Sequence, residues 1–209
     1  MTVQTTSLKN SIELLEVFHI GLVNGLMDKQ EVVKWADDII QKDEQPDYFV
    51  IELSLCGHKS VNEMVSLINE FIGEPKPAVS GRVILGLLYH RYINGQVTLK
   101  NVVGSMNWII WQGQLTEEEK RFMYGLDDRY DLAVDLIYST VDAIEKEALR
   151  FLEIYKGFSI DNFERWGEIN NTIEERVKEL TLVVSAEQEK ITEELKRTRG
   201  EEWWKFWKN

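Results

Sequence analysis

Apolar residues recur at three- and four-residue intervals along most of this chain. In residues 8–26, Ile12, Leu15, Phe18, Leu22 and Leu26 form one stripe, the spacing of an amphipathic helix. Asp28 opens DKQEVVKWADDII, with Glu31 three residues on and Val32, Trp35, Ala36 and Ile39 on one face. That pairing is a capping box and predicts a helix over 29–41. Ser60 and Glu63, and later Thr116 and Glu119, repeat the pattern. Between 46 and 57, PDYFVIELSLCG reads either as a strand rich in β-branched and aromatic residues or as a buried helix. A lone strand would have no partner, so a helix closed by Gly57 is expected.

Residues 74–77, EPKP, mark a linker. Beyond it, 78–95 is apolar on all sides and ends at Asn94-Gly95, with Gly81 and Gly86 suited to close helix approach. Thr98 caps the next segment, which ends at Gly113. The stretch from Thr116 to Gly157 predicts two helices or one kinked at Gly125. The aromatic residues here, Trp108 and Trp111 three apart, Tyr89, Tyr92, Phe122, Tyr124 and Tyr130, are expected in the core, as is Trp35. A last long helix is expected from Asn171 or Thr172 to Arg199, with Gly200 as its stop. The pattern therefore predicts an all-α protein: a compact body over 1–157, of about seven helices, and a C-terminal helical extension over 158–209.

Composition narrows the function classes. Lysine and arginine total 24 against 36 acids, a net charge of −12. Nucleic acid and anionic membrane surfaces are poor partners for such a chain. A basic protein partner suits it. One cysteine, Cys56, excludes an internal disulfide and fits a cytoplasmic setting. No apolar run is long enough to span a bilayer.

Candidate chemistry is sparse. Asp127, Asp128 and Asp131 form DDxxD, similar to the aspartate-rich motif of all-helical isoprenoid synthases. It would make the chain a magnesium-dependent enzyme acting on a diphosphate, if a second motif faced it. None is evident, and a solvated acidic face is the plainer reading. His19, His58 and His90 lack metal-ligand spacing with one another or with Cys56. Neither a catalytic residue nor a cofactor is indicated. Near the C-terminus, Trp203, Trp204, Phe206 and Trp207 crowd into GEEWWKFWKN. After a stop at Gly200 they would form a short separate element that docks on the body or on another copy. Ile173, Val177, Leu180, Val184 and Ile191 fall near a heptad seam broken by Glu187. Pairing of that helix between chains would give a structural oligomerisation module.

One stretch carries a family resemblance. Within residues 17–56, Glu31, Trp35, Ala36, Asp37, Ile40, Pro46, Glu52, Leu53 and Leu55 follow a pattern similar to small helical bacterial immunity-type domains of polymorphic toxin systems. The resemblance implies a non-enzymatic, all-helical protein that neutralises a cognate toxin by binding it. The expected partner surface takes in Asp37, Asp38, Asp127, Asp128 and Asp131 together with the aromatic tail.

Overall fold

The computed structural model describes residues 12–73, 79–112, 115–135 and 140–206, with the side chains of 112, 188, 189 and 191–206 left aside. The described residues are helical and contain no strand. In order they form α1 (Ile12–Val23), α2 (Lys29–Lys42), α3 (Tyr48–Ser54), α4 (Val61–Ile72), α5 (Ser80–Ile93) and α6 (Leu99–Gln112). There follow α7 (Glu117–Met123), α8 (Leu126–Val134), α9 (Val141–Leu152) and α10 (Trp166–Phe206). Short 3-10 turns continue α3, follow α9 and lead into α10.

The punctuation works as local chemistry requires. Asp28, Ser60 and Thr116 each close a full capping box with the glutamate three residues on. Gly25 ends α1 at φ 64°, and its neighbour Leu26 donates from its N–H to the Gly21 carbonyl at 2.8 Å. Gly95 ends α5 in the same way at φ 68°, with Gln96 donating to Arg91. Both are left-handed helix ends in which glycine satisfies the last carbonyls without a Cβ penalty.

The segment 46–57 is helical, as expected. Pro46 lies outside the helix, Asp47 is the N-cap, and the chain passes through Gly57 in a 3-10 turn rather than stopping there. The stretch from Thr116 onward divides further than expected. Gly125, at φ 71°, separates α7 from α8, and Thr140 caps a third helix, α9. The body is thus cut into shorter pieces than the seven anticipated.

Helix α5 is the central pillar. Ser80 through Leu88 are all buried, the pattern of a helix enclosed on every side. It packs against α1, α6, α9 and the 3-10 turn after α9. Gly86 permits this last contact: a Cβ there would lie 2.6 Å from the Tyr155 carbonyl oxygen and 2.9 Å from Phe158 Cβ. Because the obstacle is backbone, Gly86→Ala is expected to destabilise the fold by about 1–3 kcal/mol in chemical denaturation. An unchanged midpoint would show that the turn shifts freely.

Helix α10 differs most from expectation. It starts at Trp166, because Ser159 and Asn162 cap the preceding 3-10 turn and that turn runs straight into the helix. The Thr172 hydroxyl donates to the Ile169 carbonyl inside the helix instead of capping a new one. Nor does Gly200 stop it; the helix continues to Phe206. A mid-helix glycine costs about 1 kcal/mol relative to alanine, and its Leu, Lys, Arg and Glu neighbours favour the helix. The aromatic segment through Phe206 is therefore the last turns of α10, not a separate element. At 1.5 Å per residue, Phe206 lies roughly 28 Å along the axis beyond Glu187.

Trp166, Ile173 and Val177 are buried in the same core as the body, with Ile169 and Leu180 packed against it. The seam read as a heptad thus faces the body as far as it is described. Glu187, which breaks that seam, pairs with Arg150 of α9 at 2.8 Å.

Candidate docking surface

The three aspartates of DDxxD lie on α8, two of them near side chains of α6. Asp127 accepts from the Asn107 side-chain amide of α6. Asp131 lies 3.9 Å from the Lys100 ammonium, also on α6, and Asp128 is exposed. Arg129, in their midst, turns to Glu147 of α9 and donates two hydrogen bonds, at 2.7 and 2.9 Å. No group of three His, Cys, Asp or Glu among the described residues is placed to hold a metal ion. Asn107 and Lys100 of α6 thus face two of the three carboxylates.

The acidic edge of α8 has neighbours the sequence pattern placed in the core. The pairs Asn107–Asp127 and Lys100–Asp131 set α6 and α8 antiparallel. One turn beyond Asn107, Trp111 is 73% exposed, and just before Asp127, Tyr124 is 70% exposed. Trp108, three residues from Trp111, is instead half-buried against the core. Trp111 lies in the last turn of α6, and sharing a spacing with Trp108 does not bring it into the core. Phe122, Tyr130, Tyr89, Tyr92 and Trp35 do pack against the core. Trp35 meets Phe18 edge to face, with ring centres 5.1 Å apart.

A second acidic edge runs from α2 into α3. Residues 37–52 hold six acids (Asp37, Asp38, Asp43, Glu44, Asp47, Glu52) against Lys42 alone. None of the six has an ion-pair partner among the described residues. Tyr48 and Leu55, seven residues apart and so on one face, are 72% and 63% exposed there. Asp37 and Asp38 lie on α2, and Asp127, Asp128 and Asp131 lie on α8, far apart in the chain. The side chains of Trp203, Trp204 and Phe206, and all of Trp207, lie outside the described residues.

The histidines and the cysteine have ordinary surroundings. Burial holds the His19 pKa below its usual value. His90 Nε2 lies 2.8 Å from the Lys156 carbonyl oxygen. Cys56 is buried, its thiol donates to the Glu52 carbonyl, and burial pushes its pKa up. Such a thiol is inert.

Sequence reasoning missed the principal polar feature. Arg82, only 5% exposed, sits in the apolar run of α5. Its guanidinium donates to both carboxylate oxygens of fully buried Glu119, at 2.8 and 3.1 Å. The Tyr155 hydroxyl donates to the same carboxylate at 2.9 Å, and the Thr116 backbone N–H at 2.7 Å. Arg82 also donates to Asn170 of α10 at 2.7 Å. Burial first, and then the Glu119 charge, push the Tyr155 pKa well above its usual value. Each buried side-chain nitrogen and oxygen of the network has a hydrogen-bond partner, and the network ties α5, α7 and α10 together. Glu119 had been legible as a capping residue; Arg82 as its partner was not, because the two are far apart in sequence.

No family model, no curated protein and no solved structure matches this chain.

Proposed function

We propose that this protein is a non-enzymatic binding protein that docks a basic protein partner through its acidic, aromatic helix edges. The reading rests on one observation: Trp111 and Tyr124 stand uncovered beside Asp127 and Asp128. Tryptophan and tyrosine are the side chains that most often dominate binding energy at interfaces. Covering rings of this size would add a large apolar contact area to a complex. The flanking carboxylates select its chemistry. They attract lysine and arginine, speed encounter and repel acidic proteins. A basic toxin neutralised by occlusion fits this description, which agrees with the immunity-type resemblance over residues 17–56.

A pull-down with the product of a toxin gene adjacent to the coding sequence tests the reading. A complex should form at about 1 µM and associate more slowly as salt rises. Trp111→Ala should weaken it by roughly 30-fold, a hot-spot effect, while stability changes by no more than about 0.5 kcal/mol. Absence of a complex at micromolar concentration counts against the reading. So does a Trp111→Ala protein that binds as well as the unaltered chain.

A further inference from the structure

A cleft of about 330 Å³ opens between α7 and α10. Its apolar lining comes from Phe122 of α7 and Val184 of α10. Phe122 is held in place by stacking on buried Phe151, with ring centres 5.4 Å apart. Arg129 and Glu147 also line the cleft, but their two-pronged ion pair neutralises both. The charges left over are Glu118 and Arg121, one turn apart on α7. Neither has an ion-pair partner among the described residues, not even the other. Ser185 adds a hydroxyl from the facing helix, while the Thr181 hydroxyl is already committed to the Val177 carbonyl.

An uncommitted carboxylate and an uncommitted guanidinium beside an apolar surface match a small zwitterion with an apolar body. We infer that this cleft binds an α-amino acid with an apolar side chain. The ligand carboxylate meets Arg121, in the two-pronged geometry that guanidinium groups favour. Its ammonium meets Glu118, and its side chain covers Phe122 and Val184. The volume is at the small end of ligand pockets, which suits one amino acid and not a dinucleotide.

Titration of the full chain with L-phenylalanine, followed by amide NMR, tests the assignment. Saturable shifts are expected at Phe122, Val184 and Ser185, with a dissociation constant of about 1 mM. Phenylacetate and phenethylamine each lack one of the two charges, and each should bind at least about tenfold more weakly. Arg121→Ala and Glu118→Gln should each weaken phenylalanine to a similar degree. Both positions are exposed, and the dispersion of the spectrum reports whether the variants fold. The ligand series on the unaltered protein stands without them. Shifts that fail to saturate at tens of millimolar, or equal binding of the three ligands, overturn the inference.

Discussion

Replacing Glu119 by alanine is expected to cost the fold about 3–5 kcal/mol, the penalty for stranding the buried charge of its partner. Glu119 is fully buried and receives four hydrogen bonds, from Arg82 twice, from Tyr155 and from the Thr116 backbone. Without it, the Arg82 guanidinium keeps only Asn170 and the distant, exposed Glu174, 3.7 Å away. The α7 cap loses its reciprocal half as well. Urea denaturation measures the loss. The double variant Arg82→Met, Glu119→Leu separates two causes. Removing both charges removes the desolvation penalty, so the pair should recover at least half of the stability lost by Glu119→Ala. A loss below about 1 kcal/mol in the single variant would mean that the pair is compensated by water. A double variant no better than the single would place the effect in the cap or the packing.

Trp166→Ala is the second large effect. Trp166 is among the largest fully buried side chains, at 1% exposure. It stands in the first turn of α10, meets Phe163 edge to face, and donates from its indole N–H to the Ser159 carbonyl at 2.9 Å. Truncation removes a large apolar surface, leaves a cavity and takes one of two hydrogen bonds from that carbonyl, which keeps the Asn162 N–H, for about 3–5 kcal/mol in all. The damage should be local first. Hydrogen exchange at Ile173 and Val177 should quicken more than at Val83 and Leu88 of the central helix. Trp166→Phe keeps most of the ring and should cost less than half as much. Uniform quickening across α5 and α10 would show that α10 and the body open as one unit.

How much of this was legible beforehand depended on the range of the interaction. Asp28, Ser60 and Thr116 announced their helices because a cap and its glutamate lie three residues apart, within one turn. Gly95 and Gly125 marked breaks for the same local reason. Gly200 carried the same signal without effect, because a glycine only permits a helix to end; the residues after it decide. The periodicity of α6 placed Trp108 and Trp111 on one face. Which of the two is covered is a matter of tertiary packing.

The candidate site divides in the same way. Asp127, Asp128 and Asp131 were visible as a motif, but whether they meet depends on what α6 brings to them. Asn107 and Lys100 take up two of the three. Glu118 and Arg121 were visible only as surface charges one turn apart. Their cleft exists because α10 passes alongside α7.

The sequence by itself determined that the chain is helical, where most helices start and stop, and that its surface is acidic. These follow from interactions within one turn and from composition. Only the tertiary structure decided which apolar residues are covered, which buried charges are paired and where an opening remains. Those are set by segments tens of residues apart, such as Arg82 with Glu119 and Gly86 with Tyr155, and no local spacing encodes them.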